Sequence, residues 1–163
     1  MIWNFASLFS NVRFASLALP SADSIHEHRD QIRAWRYGEV ELSMGEVVSI
    51  YARWWPRFGS RWESLQDAYI RTLPMDSCRA YYAFLRKAPG FMSVLYAHSG
   101  RGTQYKTINR AVSAMDEIAK LHDAQAIVCQ IVTERGSERL MNRWGYVRHA
   151  LSQGDNHYIK RLL

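Results

Sequence analysis

The sequence predicts an α/β (α+β) domain in which helices flank a mixed, mostly antiparallel sheet with a β-α-β unit at its centre. Three observations carry this. Ile108, Ala111, Val112, Met115, Ile118 and Ala119 recur at helical spacing, which makes residues 107–122 a helix with one buried face. Ala126-Ile-Val-Cys-Gln-Ile-Val132 is apolar almost throughout, as in a strand covered on both sides, and Phe91-Met-Ser-Val-Leu-Tyr-Ala97 is a similar run before the helix. Strand, helix and strand in that order call for parallel pairing and a right-handed crossover. Finally, 146–151 and 157–162 flank the turn-forming Ser152-Gln-Gly-Asp-Asn156, which predicts a closing hairpin.

The remaining elements follow in chain order. Residues 1–20 read as a segment packed on the domain: Met1-Ile-Trp-Asn-Phe has apolar weight, but no basic stretch precedes it and Arg13 interrupts it. Ser21 to Ser24 offer helix caps, Ile25, Ile32 and Trp35 trace a stripe and Gly38 supplies a stop, so a helix is expected near 23–37. Residues 39–44 alternate polar and apolar, as a short strand or extended connector does. From 45 to 73 the spacing of Val47, Val48, Ile50, Tyr51, Trp54, Trp62, Leu65, Tyr69 and Ile70 fits two helices broken near 56–59. Ala80-Tyr-Tyr-Ala-Phe-Leu85 pairs with 91–97 as a hairpin across Arg86-Lys-Ala-Pro-Gly90, although that first arm also fits a helix. A short helix at 136–144 ends at Gly145, with Trp144 directed into the core and Tyr146 opening the next strand.

At 163 residues the chain has room for one domain, and 48% hydrophobic residues place it outside the disordered class. Cys78 and Cys129 are too few for a disulfide framework, and no ligand spacing for zinc occurs, so the expectation is a metal-free protein in a reducing cytoplasm. No apolar run approaches the roughly 20 residues that cross a bilayer. The formal charge of +6, with 17 of the 21 basic residues arginine, favours anionic partners. Arg53-Trp-Trp-Pro-Arg-Phe-Gly-Ser-Arg-Trp62 alternates cations with aromatics; core packing explains it first, and weak, salt-sensitive nucleic-acid binding second. Nucleophile-elbow and Walker loops are absent, His26 and His28 do not share a helix face, and Glu134 with Glu138 reads as a solvated edge.

The most informative stretch is His98-Ser-Gly-Arg-Gly-Thr-Gln-Tyr-Lys106, between a strand and a helix start. A glycine-bearing loop at this position turns unpaired backbone N–H groups and the positive end of the helix dipole outward, which suits a phosphate or pyrophosphate, with Arg101 and Lys106 adding charge. A plain turn at Gly100 and Gly102 is the simpler alternative.

Residues 90–163 resemble the C-terminal half of the GNAT superfamily of acyl-coenzyme A-dependent N-acetyltransferases. The resemblance rests on the element order, on Arg101-Gly-Thr-Gln-Tyr-Lys-Thr-Ile-Asn109 at the place of that family's pyrophosphate loop, and on Leu140-Met-Asn-Arg-Trp-Gly-Tyr146 at the end of its last helix. It implies one GNAT-like domain over 1–163, with 21–90 a helical acceptor-side half and 91–163 the half that binds acetyl-coenzyme A as cosubstrate. Gly100, Arg101, Gly102, Thr103, Gln104, Lys106 and Thr107 would hold the pyrophosphate, and the pantetheine would run along the strand at 91–97. Thr107 and Asn109 stand where the family has glycine or alanine, and Met141 where many members have the tyrosine that protonates the thiolate. His98 is then the nearest base, and Tyr96, Tyr105, Tyr146 or Tyr158 the proton donor; His98, Tyr146 and Tyr158 form the candidate catalytic set. Backbone N–H groups where 91–97 and 126–132 splay would stabilise the oxyanion. The acceptor is an amine, on a small molecule or a protein. The competing expectation is a scaffold of the same shape without catalysis, whose arginine and tryptophan surface holds nucleic acid or protein.

Overall fold

The computed structural model describes residues 16–18, 24–53, 73–130, 138–149 and 156–162. Its centre is an eight-stranded mixed sheet. In chain order the elements are β1 (Ser16–Ala18), α1 (Ser24–Glu27), α2 (Arg29–Arg33), β2 (Tyr37–Ser43), β3 (Glu46–Arg53), β4 (Ser77–Phe84), β5 (Phe91–Ser99), α3 (Tyr105–Leu121), β6 (Ala126–Gln130), α4 (Glu138–Arg143), β7 (Val147–Arg148) and β8 (His157–Arg161). The strands lie in the order β1-β3-β2-β4-β5-β6-β8-β7. All neighbours are antiparallel except β5 and β6, which α3 joins as the expected β-α-β unit. The closing pair is shorter than expected, and β8 sits between β6 and β7. None of the described helices is long and apolar enough to cross a membrane.

The chain between 21 and 90 is not the helical half that the spacing suggested. In place of one helix over 23–37 there are two short ones, broken at His28, and Gly38 lies inside β2 rather than at a helix end. Residues 46–53 form a strand, not a helix. The cause is a β-bulge: Glu41 faces Ser49 and Leu42 faces Val47, so Val48 is an extra residue and stands 45% exposed. Val47 and Ile50 both reach the core, three positions apart instead of two, and so imitate a helical spacing. The rest of the proposed helical region, the tryptophan segment after Arg53 included, falls outside the described residues, as do 1–15.

Two-residue connection of β2 to β3 is made by Met44 and Gly45, both at positive φ (52° and 82°), the geometry that matches strand twist in tight hairpins. Val40, Leu42, Ile50, Ala80, Tyr82, Met92 and Ile127 pack on one sheet face against Ile25, Ile32, Ala111, Ala114, Met115, Ile118 and Ala119 of the three helices. The alanines on α3 let its backbone lie close to the strands. At its far end Asp123 takes φ +55° and the Ala124 N–H donates to the Ala119 carbonyl, a left-handed C-terminal closure. Gly145 closes α4 in the same manner at φ +82°: the Tyr146 N–H donates to the Met141 carbonyl and the Gly145 N–H to that of Asn142. Trp144 is half-buried, packed on the edge of the core and stacked on Tyr105 at 6.3 Å.

Candidate cofactor and active site

The parallel pair β5 and β6 sets the geometry. Its ladder ends at Val94 and Cys129, although β6 continues to Gln130, still paired with His157 of β8, and β5 continues to Ser99 on β4. A second bulge accounts for the divergence: Tyr81 faces Tyr96 and Tyr82 faces Val94, so Leu95 is the extra residue, 44% exposed. Beyond it β5 stays paired with β4 as far as Ser99, while the β5–β6 register among the described residues runs from Phe91 to Val94.

The loop after β5 is stitched to the segment before β4. The Gly100 N–H donates to the Ser77 carbonyl at 2.8 Å, and the Thr103 hydroxyl lies 2.8 Å from the carbonyls of both Ser77 and Gly100. A side chain at 100 would stand 2.2 Å from the Pro74 carbonyl oxygen, so this glycine is required by the chain's own packing. Gly102 differs. It sits at φ +67° with nothing within 4 Å of where a Cβ would be, open to a ligand. Arg101 is exposed beside it.

Gln104 caps α3, but the anion at its N-terminus comes from the protein itself. The Gln104 N–H donates to Asp76 Oδ1 at 2.8 Å, and the Thr107 hydroxyl donates to the same oxygen at 2.7 Å. Those two bonds, the backbone one first, hold the Asp76 carboxyl below its ordinary value, with the Lys106 charge assisting. Asp76 adopts φ +48°, and its carbonyl accepts the Met44 N–H at 2.9 Å. The Lys106 side chain lies across Gly45, within 2.8 Å of its missing Cβ. Thr107 is fully buried and works as a ligand of Asp76, not as a surface of the loop. Sequence reading missed Asp76 because the carboxylate comes from a separate loop and no local motif marks it.

The donors at the start of α3 are suited to an anionic oxygen, and Asp76 supplies one; Arg101 and Gly102 are exposed in the loop just before them.

The three candidate catalytic side chains do not converge. His98 lies on the sheet face away from the helices, opposite Arg79 in register and stacked with Tyr96 at 6.3 Å. Tyr146 and Tyr158 belong to the core on the helix face, 4% and 5% exposed. Burial first, then the nearby Cys129 and Asp116, pushes the Tyr146 phenol well above its ordinary value, and Lys160 Nζ sits 5.7 Å over its ring while pairing with Asp116. Met141 is buried against the same cluster. Burial likewise pushes the Cys129 thiol up to about 12 and Cys78 to about 11, so neither is a ready nucleophile.

The face that carries His98 also carries a charge cluster that sequence spacing does not single out. Arg79 pairs with Glu39 at 2.9 Å and with Glu41, which in turn accepts the Ser49 hydroxyl at 2.8 Å. Burial opposes the Arg79 charge, but Glu39 and Glu41 outweigh it and raise the guanidinium above its usual value. The rings of Tyr81 and Tyr96 lie on the same face as a tilted pair, centroids 6.3 Å apart. The alternation Glu39, Glu41 in β2 against Arg79 in β4 was the available signal. Among the described residues no group of three or more His, Cys, Asp or Glu side chains is arranged to hold a metal ion. No protein-family model matches the chain, and no curated protein matches it.

Proposed function

We propose that the protein is an acyl-coenzyme A-dependent N-acyltransferase of GNAT type, using acetyl-coenzyme A to acetylate an amine in the cytoplasm. What supports this reading is that the described β5–β6 ladder ends at Val94 and Cys129 while β5 continues to Ser99 and into the loop at 100–104. An extended pantetheine has the amide groups to run beside β5 beyond Val94. Coenzyme A would supply an activated thioester, and the chain would supply position. Arg101, Lys106 and the Gly102 backbone would receive the pyrophosphate. Backbone N–H groups of β5 beyond Val94 would stabilise the developing oxyanion, and orientation of the two substrates would supply much of the rate. His98 is the candidate base, because it lies on β5 past the end of the described β5–β6 ladder and is partly exposed. Tyr96, stacked on it, is better placed as an acid than the core residues Tyr146 and Tyr158.

One observation favours the second reading, a non-catalytic scaffold: Asp76 occupies the helix terminus that the cofactor would use. Acetyl-coenzyme A added during thermal unfolding separates the two. At 100 times Kd it should add about 2.7 kcal/mol of stability and slow amide exchange at 95–99. A scaffold would show neither effect.

A further inference from the structure

We propose that the seam between α3 and α4 is a stacking platform for single-stranded nucleic acid, in which the Tyr105 ring receives a base and the cations on its two sides receive the adjoining phosphates. The inference goes beyond the acyltransferase reading and does not rest on it.

Tyr105 stands 46% exposed, an aromatic ring that lies outside the core. Trp144 backs it: the two rings are tilted by only 12°, with centroids 6.3 Å apart. The indole packs on the edge of the core, and its buried Nε1 donates to no acceptor among the described residues, so Trp144 is held by packing and not by its N–H. A ring pair anchored in the core at one end and open to solvent at the other is a surface on which an unpaired base stacks, whatever the base, because every base has a π-face.

Charge decides which partner fits. The Arg143 guanidinium lies 5.6 Å over the Tyr105 ring, where it can also cover a base stacked there. Arg139, four residues earlier on α4, shares that helix face and is exposed. Lys106 extends the other way: its side chain runs across Gly45 toward the β2–β3 turn, whereas α4 packs at β7, on the opposite edge of the sheet. The first turn of α3 carries no acid, and α4 carries one, Glu138. Cations on both sides of one ring match a strand whose phosphates continue in both directions from the stacked base. A mononucleotide such as AMP has phosphate on one side only. The charge of +6 on the whole chain adds attraction at longer range.

The test is fluorescence-anisotropy titration of a labelled single-stranded oligoadenylate of about 12 nucleotides, over a series of salt concentrations, with the wild type, Tyr105→Leu, Tyr105→Phe and the double variant Arg139→Gln with Arg143→Gln. The expected result is saturable binding to the wild type, about tenfold weaker binding to Tyr105→Leu with the same salt dependence, and wild-type affinity in Tyr105→Phe, which keeps the ring. The arginine double variant should bind more weakly, with the slope of log K against log salt shallower by about 1.4, the share of two cations on a single strand. A duplex of the same sequence, whose bases are already stacked inside, should bind more weakly than the strand at equal salt. No binding to the wild type at low salt, equal affinity in Tyr105→Leu, or a duplex bound as tightly as the strand overturns the proposal. Displacement of the strand by AMP at a concentration near the strand's own Kd also overturns it and makes the platform a mononucleotide site. Where Tyr105→Leu lowers the melting temperature, the other two variants decide: loss of binding in Tyr105→Phe, or an unchanged salt slope in the arginine double variant, overturns the proposal.

Discussion

The Tyr82 ring occupies the space that a side chain at Gly38 would need: a Cβ there would stand 2.3 Å from both Cζ and Oη of the tyrosine directly opposite in the β2–β4 ladder. Tyr82 is 1% exposed and cannot swing away. Gly38→Ala should therefore destabilise the protein by about 2 kcal/mol through overpacking, lowering the melting temperature by about 4–8 °C. In combination with Tyr82→Leu the cost should be less than the sum of the single changes. An unchanged melting temperature in Gly38→Ala would show that β2 and β4 are not in this register.

Gly145 carries the end of α4. At φ +82° a β-branched residue is strained, so Gly145→Val should cost about 2 kcal/mol, whereas Gly145→Asn should retain most of the stability because asparagine tolerates this conformation. Denaturant unfolding checks both. Equal stability of glycine and valine would contradict the helix closure that places Tyr146 against Met141.

His122 links pH to stability. It stacks on Phe84 at 3.8 Å and its Nε2 lies 3.0 Å from the Ile32 carbonyl, which it serves as a donor in the neutral ring. Burial, with Arg33 and Arg36 assisting, lowers its pKa below the ordinary 6.5 against the opposing pull of the Ile32 carbonyl and Asp123. The unfolded chain thus takes up the proton first as pH falls. Stability should decline below about pH 6.5 and level off once the folded form is also protonated. His122→Gln keeps a donor without the titration and should flatten the difference over that window. Parallel pH profiles for the two proteins would contradict this.

The second half of the chain was legible because α3, β5 and β6 show the two simplest signals, one helical stripe and two apolar runs. The first half misled where geometry departs from regular periods. Val48 as an extra residue turned a strand spacing into a helical one, and Gly38 had the look of a helix stop when its role is clearance for Tyr82. Gly145 was readable as a helix-closing glycine at positive φ, and Gly102 as part of a glycine-bearing loop or turn. Asp76 and the Glu39, Arg79 and Glu41 cluster were not, because each depends on tertiary pairing across loops or strands rather than on a local pattern.

The most direct test of the acyltransferase account is calorimetric titration of acetyl-coenzyme A into the wild type and into the double variant Arg101→Ala with Gly102→Val. The account predicts saturable binding at one site in the wild type and at least tenfold weaker binding in the variant, since Arg101 loses its charge and the open side of Gly102 is filled. Equal affinity in the two proteins would contradict the placement of the pyrophosphate at this loop, and absence of binding in the wild type would contradict the function itself.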